Sequence, residues 1–448
     1  MRRALATLLL LIAIGVNAAE RGRLVENIAA RADATQTYTL YLPTTYDVAK
    51  KHPLLLVFDP RGRGTKAAEI FRDAAEEYGW IVISSNQTRS DGSNEPNERA
   101  LRALLPEVRV YAIDPKRVYA SGFSGTALLA WAVGIHTSAL AGVIGVGGRL
   151  VDELPPAKFN FAHYGFAGTR DFNYLEMRVI EERLERDGKF PHRFTPFDAE
   201  HRWITPELAR DAIGWMEVVA GNENVVAKVF AADVAAADAL HGLDALRRYR
   251  AILRTYETLQ PVDAIREKVK QLERDPQVQR ALQDEKKWDD FERRFVSDVF
   301  ARIPAIFDAL RAQEMPVTSA DVARSFRVKE LQRRATREGA EGATARRLLE
   351  AVYTQCSFYL TQQLFARREY ALAAAVLGMA ADIHADRWDV WYNLAAAHAR
   401  GGRRRQAFEA LERAVASGFK DAKQLASDED FASLRSEKRF QEIAGHLQ

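Results

Sequence analysis

Two kinds of hydrophobic patterning divide the chain. Between residues 35 and 218, short apolar or alternating runs take turns with helical patterns. TYTLYLP (37–43) alternates apolar and polar positions, as a half-buried strand does. LLLVFD (54–59) and WIVISSN (80–86) are continuous apolar runs that end in polar or turn residues. Such runs suit strands buried on both faces of a sheet. RVYASGF (117–123), LAGVIGVGG (140–148), FAHYGFAG (161–168) and HRFTPFD (192–198) continue the series. Helical periodicity occupies 65–78, 97–111, 125–137, 173–188 and 205–219. Repeated strand–helix alternation predicts an α/β fold, a sheet sandwiched by helices. In open sheets of this kind ligands sit beyond the carboxyl ends of the strands, so functional side chains are expected just after the strands.

After residue 220 the strand pattern stops. Residues 223–352 are rich in Ala, Leu, Arg, Lys and Glu and read as helix after helix. Residues 357–420 then carry a repeat. Trp391, Leu394, Ala395, His398, Ala407, Leu411 and Ala414 fall where a helical hairpin of about 34 residues puts its packing positions. One repeat earlier stand Ser357, Leu360, Thr361, Leu364, Ala373, Leu377 and Ala380. Small alanines allow the two helices of a hairpin to approach closely, and the larger residues fill the gaps between them. The pattern resembles the tetratricopeptide repeat; a plain helical bundle is the alternative. The organisation read from the sequence is a leader at 1–18, an α/β domain at 19–220, a helical region at 221–352 and an all-α, tetratricopeptide-like domain at 353–448.

Composition narrows the class. The 448 residues are enough for about two or three domains with cores of their own. With 64 basic and 61 acidic residues the formal net charge is +3, which calls for neither nucleic acid nor an anionic membrane surface as partner. The chain opens MRRALATLLLLIAIGVNAAE: Arg2 and Arg3, an apolar stretch from Leu5 to Val16, then the small-x-small site Val16-Asn17-Ala18. That is the build of a secretory signal peptide, with an N-terminal anchor as the alternative. No later segment is apolar enough to span a bilayer, so a periplasmic or secreted chain is expected, with no transmembrane segment after cleavage. Cys356 is the single cysteine, so no intramolecular disulfide forms and no cysteine-based zinc cluster exists. In its apolar, helix-prone context it reads as a small buried hydrophobe.

The candidate chemistry lies in RVYASGFSGTALLAW (117–131), which passes from a β-prone run into a helix-prone one with Ser124 at the junction. Gly122, Ser124 and Gly125 fit the G-x-S-x-G nucleophile elbow, and Thr126 stands where its last glycine belongs. That glycine lets the following helix pass close to the neighbouring strand, so a branched side chain there puts the geometry of the turn in question. Serine catalysis needs a base, a carboxylate that orients it, and N–H groups that meet the oxyanion. Downstream of Ser124, Asp171 follows the run 161–168 directly. It reads either as the acid or as the N-cap of the next helix, two compatible roles. Asp152, after the run 140–148, is the weaker rival. His201 follows the last strand run and precedes a helix that Pro206 opens. Of nine histidines, it alone lies both after the acid and at the carboxyl end of a strand. The oxyanion would meet the Gly125 N–H and a second N–H, from Arg61 or Gly62, in the loop DPRGRG (59–64). No Lys-Ser or Lys-Thr closes a phosphate-binding loop there, and no histidine pair has metal-ligand spacing near a carboxylate.

RVYASGFSG, GTRDFNY and FDAEHRW followed by TPE together resemble bacterial α/β hydrolases of the polyhydroxyalkanoate-depolymerase and feruloyl-esterase kind. They look most like exported esterase-like proteins with C-terminal tetratricopeptide repeats. The resemblance covers residues 35–220 and the repeat region. It implies an α/β-hydrolase sheet, ester hydrolysis without metal or organic cofactor, Ser124 as nucleophile, Asp171 as acid and His201 as base. The family more often has glycine before this histidine; here Glu200 either raises the basicity of His201 or faces water. The expected function is an exported serine esterase acting on a small or polymeric ester through an acyl-enzyme, with a possible protein partner held by the repeats. The alternatives are a catalytically silent hydrolase fold serving as a protein-binding scaffold and, below that, a peptidase. Phe123, Phe172, Tyr174 and Trp203 flank the expected site, as pocket lining or as core. DGSNEPNE (91–98) reads as a cleft rim or a solvated turn.

Overall fold

The computed structural model describes residues 20–148, 160–187 and 190–447. The expected leader at 1–18 and the rival acid Asp152 lie outside them. The chain divides into two compact units, Met1–Leu282 and Gln283–Gln448.

The first unit is built on an eight-stranded sheet in the order β1-β2-β4-β3-β5-β6-β7-β8. The strands are β1 (Leu24–Ala30), β2 (Asp33–Tyr41), β3 (His52–Phe58), β4 (Ile81–Ser85), β5 (Ile113–Phe123), β6 (Gly142–Val146), β7 (Ala162–Gly168) and β8 (His192–Phe197). β2 runs antiparallel to β1 and β4, and all the other pairings are parallel. β3, in the middle, is buried at every position, which is why LLLVF carries no alternation. The sequence pattern did not reveal β1. Its pairing with β2 slips between Val25 and Ile28, and Asn27 has φ 56°. A bulge of this kind interrupts the two-residue period that marks a strand.

Helices cover both faces. α1 (Gly64–Tyr78) and α5 (Pro206–Val219) pack with Leu55, Val57, Trp80, Tyr119, Ile144 and Tyr164. α2 (Glu95–Leu104), α3 (Gly125–Thr137) and α4 (Tyr174–Asp187) pack on the opposite face with Leu40, Leu54, Leu56 and Phe58. The helical pattern read over 97–111 stops as an α-helix at Leu104 and tightens into a 3₁₀ turn over Leu105–Arg109. Pro106 lacks an N–H and disfavours α geometry in the residue before it. Because α1 follows β3 on one face and α3 follows β5 on the other, the chain leaves these adjacent strands in opposite directions. The carboxyl ends of two such diverging strands are the place where open α/β sheets bind ligands.

The compact unit continues past residue 220 through α6 (Glu223–Asp238), α7 (Gly242–Tyr256) and α8 (Asp263–Arg274), whose apolar faces share Val226, Leu246, Ile252, Tyr256 and Ile265. A buried charge network joins these helices to the sheet. Arg193 of β8 is fully buried, and its Nη2 donates to Asp233 Oδ1 at 2.8 Å. Arg248 of α7 donates to the same oxygen at 2.6 Å and to Asp211 of α5 at 3.2 Å. Tyr256 donates to Asp233 Oδ2 at 2.8 Å.

The second unit is helical throughout its described residues. Its core includes nine of the fourteen positions of the sequence repeat, Leu364, Ala373, Leu377, Ala380, Leu394, Ala395, Ala407, Leu411 and Ala414, and Leu360 as a tenth, whereas Ser357, Trp391 and His398 are only half-buried. The nine lie in the helices Thr361–Ala366, Tyr370–Ile383, Trp388–Arg400 and Arg404–Ala416, and Leu360 closes the turn before the first of these. Cys356 is fully buried in the same core, and burial pushes its thiol far above the ordinary range. Among the described residues no helix is long and apolar enough to cross a membrane.

Candidate active site

Ser124 sits between β5 and α3 with φ 56° and ψ −130°. Such a conformation is strained for a residue with a side chain and persists only where its surroundings hold it. The two glycines around it are required by space. A Cβ on Gly122 would come within 2.0 Å of the Thr126 carbonyl oxygen, and one on Gly125 within 2.5 Å of Ser90 Cβ.

Thr126 answers the question that its presence raises. Its side chain is fully buried and fits without opening the turn. Oγ1 lies 2.6 Å from the Phe58 carbonyl oxygen and 2.8 Å from that of Phe123, and it accepts from the Phe123 N–H at 3.2 Å. The hydroxyl therefore ties the first turn of α3 to the end of β3, a bond that glycine cannot make.

Three side chains that are distant in sequence meet beside this turn. His201 Nε2 is 2.9 Å from Ser124 Oγ, and His201 Nδ1 is 2.9 Å from Asp171 Oδ2. Asp171 is fully buried, and its other oxygen accepts from the Asn173 N–H at 2.8 Å. One oxygen thus orders the loop before α4 while the other holds the imidazole. Asn173 in turn donates from Nδ2 to the Gly147 carbonyl at 2.7 Å, fixing this loop against the end of β6. The ring of His201 lies between Phe123 and Phe172, at centroid distances of 4.5 and 4.4 Å. After β8 the chain turns through His201 into α5, where Thr205 accepts from the Leu208 N–H and Pro206 opens the helix. With this geometry the imidazole can take the serine proton while the carboxylate holds its orientation and offsets its charge.

The expected oxyanion donors differ in whether their N–H groups already have partners. The Gly125 N–H belongs to the first turn of α3, where a helix has no acceptor of its own for it. The two candidates for the second donor are both engaged. Arg61 N donates to Asp59 Oδ1 at 2.8 Å, and Gly62 N donates to the Asp59 carbonyl at 3.1 Å. The loop after β3 curls around Asp59, a residue that motif reading passes over. The signal was present nonetheless: a carboxylate stands directly after a buried apolar strand. Its carboxyl sits below the usual range: burial alone would raise it, and hydrogen bonds from Arg63, Trp203 and the loop N–H groups outweigh that.

Other expectations resolve by position. Glu200 is exposed. Phe123, Phe172 and Trp203 cluster around the imidazole, whereas Tyr174 packs into the core under α4. Residues 91–95 are exposed, and Asn97 clamps the Arg89 backbone through both its N–H and its carbonyl at 2.8 Å. Among the described residues no group of three or more His, Cys, Asp or Glu side chains is placed to hold a metal ion.

No protein-family model and no curated protein matches the chain. Solved structures do match part of it. A fluorophosphonate-binding serine hydrolase F of Staphylococcus aureus shares 14% identity at a TM-score of 0.37, over 44% of this chain and 99% of its own. A ferulic acid esterase shares 14% identity at 0.38, over 44% and 98%. The S-formylglutathione hydrolase of Staphylococcus aureus shares 14% identity at 0.36, again over 44% and 98%.

Proposed function

We propose that the chain is an exported serine hydrolase of the α/β-hydrolase fold that cleaves a carboxylic ester. The observation that carries this reading is the unbroken relay from Ser124 Oγ through His201 to the buried Asp171, each step 2.9 Å. Ser124 Oγ attacks the ester carbonyl as His201 Nε2 takes its proton. The carbonyl oxygen becomes an oxyanion facing the Gly125 N–H. Collapse expels the alcohol, which leaves with the proton from His201, and an acyl-serine remains. Water then attacks the acyl group by the same route in reverse and releases the acid. The substrate is a small or polymeric ester, and no cofactor takes part. The helical second unit, read as tetratricopeptide-like, serves to recruit a protein partner.

One observation favours a second reading, a silent hydrolase fold acting as a scaffold. The Arg61 and Gly62 N–H groups are both engaged by Asp59, which leaves the oxyanion short of a free second donor. Labelling with a fluorophosphonate separates the two readings. An active enzyme is labelled, and Ser124→Ala abolishes the label. A folded wild type that takes no label sinks the hydrolase reading and leaves the scaffold.

A further inference from the structure

Asp59 is almost completely buried, 1% exposed, and no step of the proposed reaction uses it. Its carboxylate is nevertheless the point where two site loops meet. Oδ1 accepts from Arg61 N at 2.8 Å, Arg63 N at 3.2 Å and Arg63 Nε at 3.1 Å. Oδ2 accepts from Arg63 Nη2 at 3.1 Å and from Trp203 Nε1 at 2.9 Å. The first set fixes the backbone of residues 59–63. The Trp203 bond crosses to the loop that carries His201, two residues away in sequence. Trp203 also packs its ring 5.6 Å from that of Phe123, the neighbour of Ser124. The backbone on either side is stitched as well: Thr126 Oγ1 bonds the Phe58 carbonyl and Thr88 Oγ1 the Asp59 carbonyl.

We infer that Asp59 is a positioning residue that couples the oxyanion loop to the loop bearing the base. The inference rests on the hydrolase reading for its catalytic consequence but not for the coupling itself. A buried carboxylate with five donors favours one arrangement, because each donor that leaves gives up a charge-assisted hydrogen bond where Asp59 itself is only 1% exposed to water. The two loops therefore hold each other in register. Bonds to a single carboxylate set the position of the 59–63 backbone relative to the loop that carries the imidazole. Asp59 touches no reacting atom.

The test uses the full mature chain with Asp59→Asn and, separately, Trp203→Phe, which removes the bond between the loops and keeps an aromatic ring beside Phe123. Amide hydrogen exchange reads the coupling without reference to activity. Expected is faster exchange in both 59–64 and 199–205 in either variant, with the central strands unchanged. Faster exchange in 59–64 alone, or in neither segment, overturns the coupling. Kinetics on the best ester from a substrate screen then read the consequence. For Asp59→Asn, kcat per active site titrated with the fluorophosphonate should fall about ten-fold or more with KM within about three-fold; counting active sites removes the loss of apparent kcat at unchanged KM that an unfolded fraction alone produces. An unchanged kcat overturns the positioning role. A higher kcat also overturns it, because Asp59 then withholds the Arg61 N–H instead of placing it. If the wild type takes no fluorophosphonate, the hydrolase reading fails, and the exchange result still decides the coupling.

Discussion

Thr126 Oγ1 lies 2.6 Å from the carbonyl oxygen of Phe58, joining the helix that follows Ser124 to the strand that precedes Asp59. The residue that departs from the elbow pattern thus adds a tether to it. Thr126→Val keeps the shape and removes the bond, leaving a buried carbonyl without this partner. It should cost about 1–3 kcal/mol of stability, measured by urea unfolding. Fluorophosphonate labelling should slow by about 10-fold, since a displacement on the order of 1 Å at such a site costs about 100-fold. A variant that labels like the wild type would show that the tether has no part in shaping the elbow.

Asp171 is fully buried and shares a 2.9 Å hydrogen bond with His201. Asp171→Asn preserves size and removes the charge that favours the required imidazole tautomer. Turnover of an activated aryl ester should drop about 10,000-fold, with the fold intact by circular dichroism. A loss under about ten-fold would remove Asp171 from the relay and leave it the loop-ordering role it plays toward Asn173.

His163 of β7 is buried with neither ring nitrogen hydrogen-bonded, against Trp131 at a centroid distance of 4.2 Å. Burial, aided by the nearby His192, pushes its pKa down to about 3. In the unfolded chain the same group titrates near its ordinary value of 6.5. Between these values the unfolded state holds the extra proton, so acidification favours unfolding. Stability contributed by neutral His163 is complete above about pH 6.5 and is lost as pH falls toward 3, at up to about 1.4 kcal/mol per pH unit. Urea midpoints of the wild type and His163→Gln, compared from pH 4 to 7, should differ in slope by that one proton. Parallel profiles would mean that His163 is not held neutral.

Asp233 is paired with two arginines, of which Arg193 is wholly buried. Asp233→Ala leaves both cations without this partner in the interior and should destabilise the first unit by about 3–5 kcal/mol. The same physics predicts that a chain cut at residue 220 is poorly folded, because Arg193 and Asp211 lose partners supplied by α6 and α7. A soluble, cooperatively melting 20–220 fragment would contradict this.

Much of the first unit was legible from apolar runs. Seven strands and the helices between them follow from continuous or alternating hydrophobicity, because burial on one or both faces leaves a direct mark on residue order. β1 left no such mark, since the bulge at Asn27 breaks its period. Ser124, Asp171 and His201 were legible for a related reason: each stands just after a strand, and strand ends share one edge of a parallel sheet.

What the sequence determined by itself was therefore the element order from β2 to α5 and the sheet edge at which Ser124, Asp171 and His201 stand. Their hydrogen-bonded contact, the bond that makes Thr126 useful, the capture of the Arg61 and Gly62 N–H groups by Asp59, and the reach of Trp203 across 144 residues were decided only by tertiary structure. The physical reason is the range of the two effects. Hydrophobic burial is a property of each residue and writes a local period. A hydrogen bond to a buried carboxylate is a property of two or more groups, and its worth appears only when the fold brings them within about 3 Å and excludes water.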